Sequence, residues 1–161
     1  MAKAFSVKVT GADKIKKNVQ YLRANFPEWL SAANLETAYE IRDEAQRNVK
    51  RLDAFDTGDL YDSIEVQISP QGLSIGVGSK LKYAPFVEFG TSPHFPPLEP
   101  IREWCRSRGI DESAAFPIAR QISERGSPER PFLYPAYKVG QRNHVKRIRQ
   151  YVKDGLRGLL V

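Results

Sequence analysis

Ile64-Glu65-Val66-Gln67-Ile68-Ser69-Pro70-Gln71-Gly72-Leu73-Ser74-Ile75-Gly76-Val77 decides the fold class. On either side of Ser69 to Gly72 an apolar side chain falls on every second residue. That is the period of a strand with one face on a core. The four central residues include a proline and a glycine, which close turns. A β-hairpin is predicted.

Working outward toward the N-terminus, Arg51 to Gly58 is polar and turn-like, and Leu60 and Ile64 sit four apart, enough for one short helical turn. Leu30, Ala38, Ile41, Ala45 and Val49 share one face of a helix running from about Pro27 to Lys50. A separate helix is expected before it, with Ile15, Val19, Leu22 and Phe26 in line, because proline sits best in the first turn of a new helix. Thr10 to Asp13 offers turn and capping residues, and Ala4 to Val9 alternates as a short half-buried strand.

Toward the C-terminus, Lys82 to Phe89 is apolar and aromatic and stops at Gly90, which fits a short helix with a glycine cap; a strand is the alternative. Ser92 to Pro100 carries four prolines and reads as a loop or extended arm. Pro100 to Arg108 is helical, with Ile101, Trp104 and Cys105 on one face. Asp111 caps a further helix with Ala115, Ile118 and Ile122 inward and Gly126 as its stop. Pro131 to Pro135 is extended, and a last helix carries the apolar stripe Val145, Ile148, Val152, Leu156 and Leu159. These readings give one α+β domain over residues 1–161. It has an antiparallel β-sheet with a central hairpin, flanked by N-terminal helices and a long C-terminal helix, with a helical insertion at about 92–130.

The chain of 161 residues has 41% apolar residues and a formal charge of +6, which suits a domain that buries a core without disulfides or metal. No apolar run approaches the ~18–20 residues of a membrane span, and Met1 to Phe5 lacks the apolar centre of a signal peptide. The single cysteine, Cys105, excludes an intrachain disulfide and a multi-cysteine metal site, and points to a reducing cytoplasm or an assembly built there. The charge is uneven. Residues 1–136 hold 18 basic and 18 acidic side chains, whereas residues 137–161 hold seven basic ones against Asp154 alone. Arg142, Lys146, Arg147, Arg149, Lys153 and Arg157 gather there, four of them in a stripe beside the apolar one. This is a candidate surface for an acidic partner or for DNA phosphates. No base-reading motif accompanies it.

Catalytic candidates are thin. His94 lies in the proline-rich loop and His144 among cations, neither near a second ligand at metal-site spacing. Cys105 reads as a small core residue, since no base is in view. Gly76-Val77-Gly78-Ser79-Lys80 has the wrong order for a phosphate loop. Asp53, Asp56, Asp59 and Asp62 do not fit a calcium loop and read as caps and first-turn acids. No cofactor and no enzymatic activity are expected.

Three separated segments carry a resemblance. The first is Thr57-Gly58-Asp59-Leu60-Tyr61-Asp62-Ser63-Ile64, and the second is Tyr83-Ala84-Pro85-Phe86-Val87-Glu88-Phe89-Gly90-Thr91. The third is Pro131-Phe132-Leu133-Tyr134-Pro135-Ala136. In this order, with the hairpin between the first two, the chain over about residues 10–155 resembles the gene-product-ten-like tail-component family of long-tailed double-stranded DNA bacteriophages. Ile101 to Trp104 and Ala119 to Ile122 look like the version of that family with a longer middle. Tyr61-Asp62 departs from the basic residues often found there.

Physically, Thr57 can cap the short turn, Gly58 can take a positive φ, and Leu60 and Ile64 enter the core. Gly90 reverses the chain, and Glu88 among apolar neighbours must be solvated or paired. The resemblance implies a virion protein at the head–tail junction, a neck or tail-completion component made in the host cytoplasm. It also implies self-association in a ring, six-fold before twelve-fold, between head-connector and tail-terminator or tube proteins, with packaged DNA the less favoured contact and no membrane. A tail terminator is the alternative within the class. A basic DNA-binding accessory protein is the alternative outside it.

Overall fold

A computed structural model describes residues 11–52 and 58–157. The strand expected at Ala4 to Val9, the Thr57 cap and Leu159 lie outside the described residues.

The first element is one helix, α1 (Ala12–Arg51), of 40 residues. The break expected at Pro27 does not occur. The proline stands inside the helix on the solvent side, where the missing N–H deprives only the Arg23 carbonyl, which water can satisfy. Gly58, at φ 95°, opens the four-residue helix α2 (Asp59–Asp62), as its place in the sequence asked. Strands β1 (Ile64–Ile68) and β2 (Ile75–Ser79) form the hairpin, antiparallel, from Ile64 opposite Ser79 to Ile68 opposite Ile75. The second strand starts two residues later than its alternation implies, because Leu73 and Ser74 complete the turn: the Ser69 N–H donates to the Ser74 carbonyl at 3.0 Å.

Helix α3 (Ala84–Phe89) stops at Gly90. Helix α4 (Leu98–Ser107) takes Pro100 into its first turn. A 3-10 turn (Glu112–Ala114) leads into α5 (Ala115–Arg125), and Asp111 caps that turn by accepting from the Ser113 N–H at 2.8 Å. The hydroxyl and backbone of Ser113 hold the Asp111 carboxyl below its usual range. The last helix, α6 (Leu133–Arg157), begins inside the segment expected to be extended. Pro135 occupies its first turn, where the N–H that proline lacks would have no partner within the helix anyway.

The core draws three side chains from α1 and one each from α2, β1, α3, α6 and the residue before α6. Ile41, Ala45 and Val49 of α1 meet Leu60, Ile64, Ala84, Phe132 and Ala136. Each fully buried Leu, Ile, Val or Phe there contributes about 1.5–3 kcal/mol of transfer free energy. The α+β class holds, with helices on a two-stranded antiparallel sheet. Helix α6 runs back along α1. Gly140 lies against Ile41, His144 meets Thr37, Arg147 meets Glu40, and Gly155 lies against Trp29. At both glycines an added Cβ would run into the facing side chain, so the two helices are as close as these residues permit.

Candidate functional site

The second and third sequence motifs meet at one carboxylate. Glu88, near the end of α3, is 6% exposed. Its Oε2 accepts from the N–H groups of Phe132 and Leu133, both at 2.8 Å, and its Oε1 accepts from Tyr134 at 2.8 Å. These N–H groups open α6 and have no partner within that helix. A carboxylate there also faces the positive end of a 25-residue helix dipole. The pairing demanded by its apolar neighbours is therefore met by backbone. Asn48 of α1 adds a bond from its Nδ2 to the Phe132 carbonyl at 3.0 Å, so α1, α3 and α6 are tied at one point.

The neighbouring motif residues close the base of the helical excursion. The Thr91 N–H donates to the Ser127 carbonyl at 3.1 Å, and Thr91 Oγ1 accepts from the Ser127 N–H at 2.9 Å. The Arg130 N–H reaches the Val87 carbonyl at 2.8 Å. Gly90 (φ 69°) is needed there, because a side chain would strike the Ser127–Glu129 backbone. In the first motif the Ser63 hydroxyl binds the Leu60 carbonyl at 2.8 Å and lies 2.7 Å from the Ser79 hydroxyl, pinning the hairpin to α2.

Of the motif residues, Leu60, Ile64, Ala84, Glu88, Phe132 and Ala136 are buried. Gly58 is buried too, whereas Ser63, Gly90, Thr91 and Pro131 are half-buried. Tyr83 and Pro135 face solvent, and Phe89 is 75% exposed.

Between α2–α3 and α4–α5 lies an open groove of about 800 Å³, walled by Leu60, Tyr83, Phe86, Trp104, Ile118 and Ile122. Ile118 and Ile122, expected inward, line this groove, whereas Ala115 and Ala119 carry the burial of α5. Phe86 is 60% exposed on its wall.

The basic surface divides. Arg142, Lys146, Arg149, Lys153 and Arg157 are exposed on α6, and Arg157 pairs with Asp154. Arg147 is not part of that surface. Only 23% exposed, it turns toward α1, with Nη1 2.8 Å from Glu40 and Nε 3.4 Å from Glu36. Asn143 donates to Glu40 at 2.7 Å, His144 Nδ1 lies 3.0 Å from the Thr37 hydroxyl, and the Tyr151 hydroxyl donates to Glu36. Burial pushes the Glu40 carboxyl up, but hydrogen bonds from Arg147 and Asn143 and the Arg147 and Arg47 charges outweigh it, and the net direction is down. The hydrogen bond to Glu36 and burial raise the Tyr151 phenol.

The face of α6 against α1 is therefore Ala136, Gly140, Asn143, His144, Arg147, Tyr151 and Gly155, small and polar. The apolar stripe of Val145, Ile148, Val152 and Leu156 stands half-open beside it. This polar layer went unread in the sequence, although Glu36 and Glu40, Asn143 and Arg147, each four apart, were its signal.

The residues singled out for chemistry stand apart from one another among the described residues. Among the described residues no three His, Cys, Asp or Glu converge on a metal site. Cys105 is fully buried, and His94 Nδ1 lies 2.9 Å from the Ser92 carbonyl. Asp59 and Asp62 sit exposed on α2, and Asp53 and Asp56 fall outside the described residues. No described helix is long and apolar enough to cross a membrane.

No curated protein and no solved structure matches the chain. One family model does, and its match ends at Gly90, where the excursion begins, so that Glu88 reaches from inside the matched stretch to the third motif outside it. Residues 13–90, which hold most of α1, the hairpin and Glu88, match the family described as "Bacteriophage HK97-gp10, putative tail-component", and the chain over that stretch has the likeness of a bacteriophage tail component.

Proposed function

We propose that the protein is a structural component of the bacteriophage neck, a tail-completion or head–tail joining subunit that assembles as a ring and connects tail to head. The observation that carries this is the Glu88 clamp. The one buried carboxylate of the motifs is spent on three backbone N–H groups and a helix end, which fixes α6 to the body and leaves it no catalytic role. The motifs therefore support a scaffold with defined faces, and the family likeness over residues 13–90 supports a bacteriophage particle as the place where such a scaffold works.

The protein acts by docking, without cofactor and without chemistry. Six copies suit a tail better than twelve. The partners are head-connector proteins on one side and tail-terminator or tube proteins on the other, and the protein passes from the host cytoplasm into the virion at the head–tail junction. The cations of α6, with the carboxylates of the α1 layer already engaged by Arg147, face an acidic neighbour in preference to packaged DNA.

The test is assembly without the protein. Heads and tails are expected to accumulate unjoined and to join when it is added back. Infectious, joined particles formed in its absence would overturn the proposal. A terminator role predicts instead tails of uncontrolled length. The DNA-binding alternative is favoured by one observation, the exposed stripe of Arg142, Lys146, Arg149 and Lys153, and is tested separately below.

A further inference from the structure

The described sheet has two strands, so β1 and β2 each keep one edge that no described strand covers. The register says which backbone groups stand on the edge of β1. Ser69 donates to Ser74 at 3.0 Å across the turn, so Gln67 and Glu65, two and four residues back, also turn their N–H and C=O groups to β2. Val66 and Ile68 turn theirs outward, and among the described residues nothing bonds to them. The edge lacks the usual protections, since β1 contains no proline and pairs without a bulge.

Beside this edge α1 leaves a shelf uncovered. Gln46 donates to the Tyr61 carbonyl at 3.1 Å and the Lys50 ammonium lies over the Tyr61 ring, so α2, and β1 which leaves it, stand on that flank of α1. On the other flank Asn48 binds Phe132, which binds Glu88 of α3, the helix that follows β2. The hairpin runs back along α1 until its turn meets Ser31 and Asn34 at Gly72. Leu35 and Tyr39 share the flank of Gln46 at spacings of four and seven, so they lie along the β1 side, and they are 39% and 42% exposed.

We propose that Ala4 to Val9 of a second copy of the chain adds to the open edge of β1 as a third strand, with Phe5, Val7 and Val9 laid on Leu35 and Tyr39. The proposal rests on the ring reading above and names its interface.

The sequence and the length of α1 select this occupant. Ala4 to Val9, outside the described residues, alternates as the hairpin strands do, and an extended run needs a sheet to satisfy its backbone. It cannot reach the hairpin of its own chain. Leu35 stands about 36 Å of helix from Gly11, and even Ser31, under the hairpin turn, stands about 30 Å away. Phe5 is six residues from Gly11, at most about 21 Å of extended chain. The two faces also agree. With Phe5, Val7 and Val9 on the side of Ile64, Val66 and Ile68, Ser6 and Lys8 fall on the side of Glu65 and Gln67, which puts a cation on the face that carries the Glu65 carboxylate. Because the giving segment and the receiving edge are different parts of the molecule, each copy gives one strand and receives one, a heterologous contact of the kind that closes rings. Strand addition to an open edge is a common recognition mode.

The full chain and three variants test this. Val7→Pro spoils the giving strand. Ile68→Pro removes an outward N–H and no bond of the hairpin. Leu35→Glu spoils the shelf, leaves the backbone untouched and carries the test of the receiving side should Ile68→Pro melt below the parent. By sedimentation up to about 1 mM, where contacts as weak as millimolar register, the parent chain is expected to associate. Amide exchange at Val66 and Ile68 should slow about tenfold or more between dilute and concentrated protein, whereas Glu65 and Gln67, already in the ladder, stay protected at both. Each variant alone is expected to associate about tenfold or more weakly. Mixed one to one, Val7→Pro and Leu35→Glu should form a dimer and stop, because the first keeps its edge and the second its giving strand.

A parent chain that stays monomeric overturns the proposal. So does association that leaves exchange at Val66 and Ile68 unchanged, and so does protection there that is the same at every concentration, which would mean that the chain covers its own edge. A Val7→Pro chain that associates normally gives the edge another occupant and overturns it too, as does a mixture that fails to pair. Particle assembly is read apart from this. Val7→Pro and Leu35→Glu chains that still complete particles overturn the interface and leave the neck reading standing. Strand exchange in a protein that particles do not need overturns the neck reading alone.

Discussion

The two halves of α1 have similar apolar periodicity and opposite fates. From Ala33 to Val49 the face is closed, with Ala33, Ala38, Ala45 and Val49 fully buried against the hairpin, the short helices and α6. From Ile15 to Phe26 the face is larger and more apolar, and it is open. Burial here follows from what stands opposite, and the covered residues are mostly the small ones. Alanine and glycine let helices approach closely, and the polar layer of Glu36, Glu40, Asn143, His144 and Arg147 then seals the flank. Among the described residues nothing approaches the large side chains of the open half.

That difference breaks most sharply at the clamp. Glu88→Ala leaves three N–H groups at the start of α6 without their acceptor. It is expected to cost about 3–5 kcal/mol, visible as a fall in melting temperature and loss of far-ultraviolet helix signal. Glu88→Gln, with one acceptor oxygen, should lie between. The next largest effect contrasts the two halves directly. Ile41→Ala, in the closed half, is expected to lose about 2–4 kcal/mol by chemical denaturation, and Val19→Ala, in the open half, less than about 0.5 kcal/mol. Equal losses would mean that the open seam is covered within the chain. Gly140→Ala should follow at about 1–3 kcal/mol, because its Cβ runs into Ile41 and the helices must part.

These positions also show what a sequence can disclose. The hairpin was legible because period-two alternation across a Pro/Gly turn has few other readings. The Gly58 and Gly90 conformations, the Asp111 cap and the need to pair Glu88 were legible because each is a local constraint. What paired Glu88 was not, since Phe132 to Tyr134 lie more than 40 residues away and backbone N–H groups leave no mark on side-chain pattern. Pro27 misled for a related reason. Local propensity says break, but a helix held further along by Ala33, Ile41 and Val49 continues through a proline on its wet side. The apolar stripe of α6 misled through composition, because the real contact face is made of glycine, histidine and arginine, residues that no hydrophobic pattern counts.

The polar layer predicts a smaller, pH-dependent effect. Glu40 titrates below its unfolded value, so the stabilisation it lends is fully present above the ordinary carboxylate range and is lost as pH falls through the lower folded value. Glu40→Gln is expected to cost about 1–2 kcal/mol at neutral pH and nothing further in acid, so the melting curves of parent and variant should converge as the pH drops below about 4. Parallel curves would show that Glu40 contributes packing alone.

The smallest effect on stability, and the sharpest contrast within one helix, is expected from the cations of α6. Arg147 sits between Glu36 and Glu40, and Arg147→Gln would leave two carboxylates facing each other without a counterion, so it should destabilise. Lys146, Arg149 and Lys153 pair with no carboxylate among the described residues, and neutralising all three should move stability by less than about 0.5 kcal/mol. If the stripe serves DNA, the same triple change should weaken binding to a 30-base-pair duplex uniformly across sequences. It should also flatten the dependence of log K on log salt by about three contacts' worth. An affinity that is weak and unmoved by the triple change removes the DNA-binding alternative. The stripe is then left to a protein neighbour, because Arg142, Lys146, Arg149 and Lys153, exposed and in no ion pair among the described residues, repel one another and gain when an anion arrives from outside.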